Sequence, residues 1–597
     1  MSKAQWRWAR IGVCPFSAVS KTGVGSPPTC TNPFETYACE VIRYAGFLPE
    51  WLTPAELASR VPHLDILLTL GEGELDDATR LTLHQFVEQG GVWIAVGGVP
   101  EAPEITGCEP QTHPDGKPVR LGEGYVASEK PNTVLPETWG LLHCFGGREV
   151  HATGAEVWAY WHDPHGRRTD RPALLHHTLG AGHVLVFAID LGETILRIRM
   201  GRPVSEQVVL PPDIPSRYED PCLHSEDATR LDWYLDRYPC EDGTLCFLKP
   251  VADLWQESLI RAVLQAGQWA GAVVPMVWFY PRLLPGVGVL SIESDPASGS
   301  YETHLNHLMT LTGTRAVWCI SELMHNANFY RDLARREHEI GLRYVPEPGQ
   351  FCKPSSLQNQ VDNLRRFTGV RAITAVQVEG LQWRGCSEFY EYVERAQIFT
   401  ELSRGGYHPQ ASGFLFGSAH LWQPMSRTRP GEIIRVYSLP LLAYRAMEWV
   451  SPAQVNALFS ATRSVYGVFH LTIRPSVLTD HSSADALMRM IGTVRYNGYE
   501  WLTAHELARW LTARANLRYK LAGLPGQMQL ALLSAQTMNR LGVLLFTPLR
   551  GWAQISGHQV ELQEGEYFGF PCLTLETDLV EKSAREINLF ETAEQVA

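Results

Sequence analysis

Between residues 286 and about 510, short apolar runs alternate with segments of helical period. This alternation constrains the fold more than any other feature of the chain. Residues 288–292 read as a strand, 301–311 as a helix, 315–320 as a strand, 327–336 as a helix and 339–345 as a strand. Residues 355–367 then read as a helix and 370–375 as a strand, and 468–473 and 483–496 repeat the pair. A strand that is followed each time by a helix must lie parallel to the next strand. If the less regular middle stretch supplies the remaining steps, the set closes into a (β/α) barrel.

The flanks read differently. Residues 1–200 form an α/β unit of the doubly wound, flavodoxin-like kind. Residues 65–70 and 92–96 are nearly continuous apolar runs, as expected of strands buried on both faces. Asp76 caps the helix between them, and Gly90-Gly91 ends it. Residues 201–285 read as a connector that contains a Pro-rich segment and a helix over 254–270. Residues 516–597 form a β-rich, sandwich-like cap, in which short runs at 527–533, 542–546, 553–555 and 559–562 are separated by turn residues.

With 597 residues, the chain exceeds one hydrophobic core. Its formal net charge of -13 argues against nucleic acid as the main partner. No 18-residue apolar run and no leader-like N-terminus are read, so a cytoplasmic protein without a membrane anchor is expected. The 12 cysteines contain no CxxC pair. Cys240 and Cys246 are spaced for a hairpin disulfide, but reduced, buried thiols are the expectation in that compartment.

Two resemblances follow from these segments. Residues 1–200 resemble a glutamine-amidotransferase-like domain, whose nucleophile sits in the sharp turn after the strand matched by 92–96. Here that turn is Gly97-Gly98-Val99, so no glutaminase chemistry is expected. Residues 286–515 resemble the polysaccharide deacetylase (NodB-homology, carbohydrate esterase family 4) barrel. Val289-Leu290-Ser291-Ile292-Glu293-Ser294-Asp295 stands where that family has a strand ending in an Asp-Asp pair. His338-Glu339-Ile340-Gly341 stands in its Gly-His-Glu-Ile-Gly phrase, with Glu337 in place of the first Gly.

The resemblance implies a divalent metal such as zinc, held by one carboxylate and two imidazoles, with a second carboxylate as base and a further His as acid. Carried over, Glu293 matches the base. The second carboxylate falls on Ser294, or on Asp295 if the turn is one residue longer. His470, four residues before the expected acid position and on the same strand face, is the candidate acid. The two imidazole positions fall on Arg343 and Glu347, and Arg474 stands near the acid position. A guanidinium cannot ligate a cation. It would instead pair with Glu293, Asp295 or Glu347, in a pocket that also includes His338 and Arg474. Trp383, Arg384, His420 and Trp422 lie in aromatic-rich segments suited to stacking on sugar rings. The expected function is a deacetylase-like hydrolase acting on an acylated sugar or related amide. The alternative is a silent barrel that binds a glycan or a protein partner within a homo-oligomer or larger assembly.

Overall fold

The computed structural model describes residues 6–21, 26–98, 101–205, 222–294, 299–323, 325–347, 353–524, 526–548 and 550–592. The chain divides into two compact units: residues 1–196, 255–283 and 510–597 form one, and residues 197–254 and 284–509 the other. Of the stretch 201–285, residues up to 254 go with the second unit and residues 255–283 with the first. No helix among the described residues is long and apolar enough to cross a membrane.

The first unit contains a nine-stranded sheet. Glu50–Trp51, Ile11–Pro15, Ile66–Leu70, Val92–Val96 and Gly182–Phe187 run parallel in that order. Arg168–Leu179, Glu156–His162, Glu123–Ser128 and Leu142–Phe145 then extend it antiparallel. The expected doubly wound parallel sheet thus accounts for one half of the sheet only. The antiparallel half comes from strands of mixed polarity that carry no continuous apolar run.

The turn after Val92–Val96 is closed by Gly97, at φ 73°. A Cβ on Gly98 would stand 2.1 Å from the Gly71 carbonyl oxygen. The backbone is too close there for any side chain, nucleophilic or not. Gly98→Ala is expected to cost about 1–3 kcal/mol through overpacking, measured by urea denaturation.

The C-terminal strands form two sheets over one apolar cluster that includes Leu530, Leu532 and Ile587 from one sheet and Val543, Leu545 and Leu573 from the other. Strand Val274–Pro281, from the stretch expected to be a connector, belongs to the second sheet and pairs antiparallel with Met538–Phe546.

The second unit holds the barrel. We number its strands β1 (Val287–Glu293), β2 (Val317–Ile320), β3 (Glu339–Tyr344), β4 (Ala375–Val378), β5 (Thr400–Glu401), β6 (Tyr437–Ser438) and β7 (Val468–Ile473). They are all parallel, in the order β6-β5-β4-β3-β2-β1-β7. Beyond β6 the chain pairs with both neighbours. Leu441 bridges Gly405 and Ala443 bridges Leu471, both in parallel sense. The Leu442 N–H donates to His470 O at 3.1 Å, and the Thr472 N–H to Ala443 O at 2.9 Å. These bonds carry the sheet round from β5 to β7.

Candidate functional site at the barrel mouth

The interior of a parallel barrel is usually filled by layers of branched apolar side chains. This one is largely polar. The register pairs Glu293 with Cys319, Ser291 with Thr472 and Arg343 with Gln377, so these side chains share the inner face with His470. All are buried. Ser291 Oγ lies 2.7 Å from His470 Nε2, and Gln377 Nε2 donates to Thr472 Oγ1 at 3.0 Å. His470 Nδ1 lies 3.2 Å from the Pro440 carbonyl oxygen. A carbonyl only accepts, so the ring proton sits on Nδ1, and Nε2 accepts from the serine hydroxyl. Burial pushes the imidazole pKa down to about 4.

At the carboxyl end of the strands, Glu293 is completely buried. It accepts a hydrogen bond from the Tyr444 hydroxyl at 2.9 Å, and Arg445 Nε stands 3.4 Å away. Arg343 Nε lies 3.8 Å from the same carboxylate. Arg343 is shared: Nη1 donates to Ser294 O at 2.9 Å and Nη2 to Glu379 Oε1 at 2.6 Å. Two carboxylates and two guanidiniums thus balance. Burial raises the Glu379 carboxyl pKa, although Arg343 opposes the shift. Burial works against the charge on Arg445, but Tyr444 and Glu293 outweigh it and raise its pKa.

Tyr444 and Arg445 come from the irregular chain after β6, where Arg445 is held at φ 50°. A positive φ is uncommon for a long side chain, and it is the kind of strain that gathers at functional sites. The Arg445 guanidinium covers the Trp449 ring at 4.2 Å. Trp449 meets Tyr407 edge-on at 5.4 Å, and Tyr407 stacks on His224 at 4.0 Å. Glu226 secures this rim by accepting the N–H groups of Tyr407 (2.7 Å) and His408 (2.9 Å) and by pairing with the His408 ring. Trp449 keeps 36 % of its surface exposed.

The groups that converge on Glu293 do not fit a metal centre. Two guanidiniums and a phenol hydroxyl surround it, and a guanidinium offers no lone pair to a cation. Among the described residues, no three His, Cys, Asp or Glu side chains are grouped to hold an ion. Asp295, the expected carboxylate ligand, lies outside the described residues.

The other expected site residues are scattered. His338 precedes β3 at the opposite end of the barrel from Arg343. Its Nδ1 accepts the Ala316 N–H at 3.2 Å, and burial pushes its pKa down to about 4. Glu347 is exposed and faces Lys353 at 3.7 Å, not Arg343. Arg474 pairs with Glu448 at 3.3 Å. Trp383, His420 and Trp422 are buried, and the His420 ring is tied to Val465 O at 2.8 Å; Arg384 alone of these four is exposed. The open aromatic surface is formed by Trp449 and Tyr407 instead. Sequence reasoning missed these two together with Glu379, Tyr444 and Arg445. Glu379 opens a 3-10 turn directly after β4, the others lie in loops without periodicity, and no local motif marks them.

No family model and no curated protein matches the chain. Among solved structures, it is similar to a family 4 acetyl xylan esterase from Clostridium thermocellum, in complex with a cobalt ion, at 13% identity and TM-score 0.25, over 37% of this chain and 89% of that one. It is also similar to a mutant of a CE4 family pseudoenzyme with restored enzymatic activity, at 11% identity and TM-score 0.25, over 38% and 69%. A β-galactosidase from Rahnella sp. R3 is similar at 14% identity and TM-score 0.23, over 30% and 28%. The matched part thus spans under a third of the galactosidase chain. Likenesses of this size assign no family, and the reading of the mouth rests on its own geometry.

Proposed function

We propose that the barrel mouth binds a neutral carbohydrate and does not carry out metal-dependent deacetylation. The observation behind this reading is Arg343: the residue at an imidazole position of the deacetylase pattern joins Glu293 to Glu379 as an ion-paired bridge. Glu293 is thereby held in place as an anchor, with no free edge to take a proton from water. A sugar offers apolar C–H faces and paired hydroxyls. Trp449 supplies a flat ring for the former, while Arg445 and the partly exposed Glu379 supply a donor and an acceptor for the latter. The balanced charge of the quartet favours an uncharged ligand over an anion.

The test is calorimetric titration with neutral xylo- and chito-oligosaccharides, acetylated and unacetylated. Trp449→Ala should weaken binding by about tenfold or more, the loss expected from about 1.4 kcal/mol of stacking. Added zinc or cobalt should release no acetate above the protein-free control. Zinc-stimulated release, or binding indifferent to Trp449, would refute the proposal.

A further inference from the structure

Arg404, just beyond β5, is 1 % exposed. Its Nη2 donates to the Met200 carbonyl at 2.7 Å, while Nε and Nη1 have no hydrogen-bond partner. No carboxylate among the described residues forms an ion pair with it. The guanidinium lies 3.8 Å from the Phe416 ring centroid and 4.8 Å from that of Trp383. Two aromatic faces attract a cation but supply no counter-charge. A buried charge without a partner is among the costliest features a fold can carry, and such a group calls for a specific explanation.

The nearest acid in sequence, Glu401, does not complete the pair. It is fully buried, its Oε1 accepts the Ser403 N–H at 2.5 Å, and its Oε2 has no partner. Burial pushes its pKa up to about 7, so at neutral pH it is only a partial counter-charge. Glu401 pairs in register with Val376, whereas Gln377 faces the barrel interior. The cluster is therefore on the helix side of the sheet, apart from the mouth.

We propose that Arg404 anchors a buried oxyanion site that takes a small carboxylate or phosphate. The unpartnered Nε–H and Nη1–H groups suit oxygen acceptors, and the two rings with the Met200 carbonyl hold the guanidinium in one plane. Glu401 Oε2, when protonated, donates to the same anion. This inference is independent of what the mouth binds.

The test uses the full chain. Melting temperature is followed against sodium acetate and sodium phosphate, with sodium chloride at matched ionic strength as the control. A saturable rise of about 2–4 °C beyond chloride is expected for at least one of the two anions. A response to acetate alone identifies a carboxylate site, and a response to phosphate alone a phosphate site. Glu401→Gln should keep or strengthen the response, because it removes a competing negative charge, and Arg404→Met should abolish it. If neither anion exceeds chloride in the wild-type protein, the proposal fails whether or not Arg404→Met folds. It fails equally if Glu401→Gln still folds and abolishes the response, for a guanidinium relieved of the competing carboxylate charge would then not be what holds the anion.

Discussion

Glu293→Ala is expected to destabilise the protein by about 3–5 kcal/mol, the usual consequence of removing one partner from a buried ion pair. The carboxylate is completely buried among Tyr444, Arg445 and Arg343. Without it, Arg445 loses its ion-pair partner and keeps only the longer-range attraction of Glu379, and the Tyr444 hydroxyl loses its acceptor. Arg343 suffers less, since Glu379 remains. Glu293→Gln preserves the shape but not the charge and should fall between the wild type and Glu293→Ala. Adding Arg445→Met to Glu293→Ala should recover part of the loss, because the stranded guanidinium is then removed as well. Urea denaturation with an unchanged m-value is the measurement. A Glu293→Gln protein as stable as the wild type would mean that the carboxylate is free, and the claim that it is an anchor would fall.

The barrel was legible in the sequence where its strands are long. Expected strands at 288–292, 339–345 and 468–473 correspond to Val287–Glu293, Glu339–Tyr344 and Val468–Ile473. The segment expected at 370–375 lies earlier than the strand itself, Ala375–Val378. Thr400–Glu401 and Tyr437–Ser438 were not read at all, because two residues cannot display an alternation. Their place in the barrel depends on hydrogen bonds from irregular backbone, such as Leu441 N to Arg404 O at 2.9 Å. The role of Val274–Pro281 was hidden for a different reason. Its partner strand lies more than 250 residues further on, and pairing at that distance leaves no local trace. The same logic divides the site. Glu293 and Arg343 could be placed because each ends a well-defined strand. Tyr444, Arg445 and Trp449 reach the mouth from loops, whose course is set by tertiary packing, and Glu379 from a 3-10 turn after β4, a strand whose expected position lay several residues too early.

His470 provides the second large expected effect, and it bears on the role first expected for this residue. A general acid must hold a proton that it can give to a leaving group. Near neutral pH, the single proton of His470 is on Nδ1, directed at Pro440 O, and Nε2 is occupied by the Ser291 hydroxyl. The ring has an ordinary pKa of 6.5 when unfolded and about 4 when folded. Between these values the unfolded chain binds more protons than the native protein, so stability rises with pH through this window and is lost as pH falls from 6.5 towards 4. A shift of that size amounts to about 3 kcal/mol across the window. His470→Gln has no such titration. At pH 7.5 the variant should be less stable than wild type by about 1–3 kcal/mol, the cost of the broken buried hydrogen bonds. By pH 4.5 the gap should narrow by about 2–3 kcal/mol, and the two proteins should approach each other or change order. All other titrating groups are common to both proteins and cancel in the difference, so the narrowing isolates this one imidazole. Parallel stability curves from pH 7.5 to 4.5 would show that the ring takes up its proton in the native state as readily as in the unfolded chain. An acid role for His470 would then be open again.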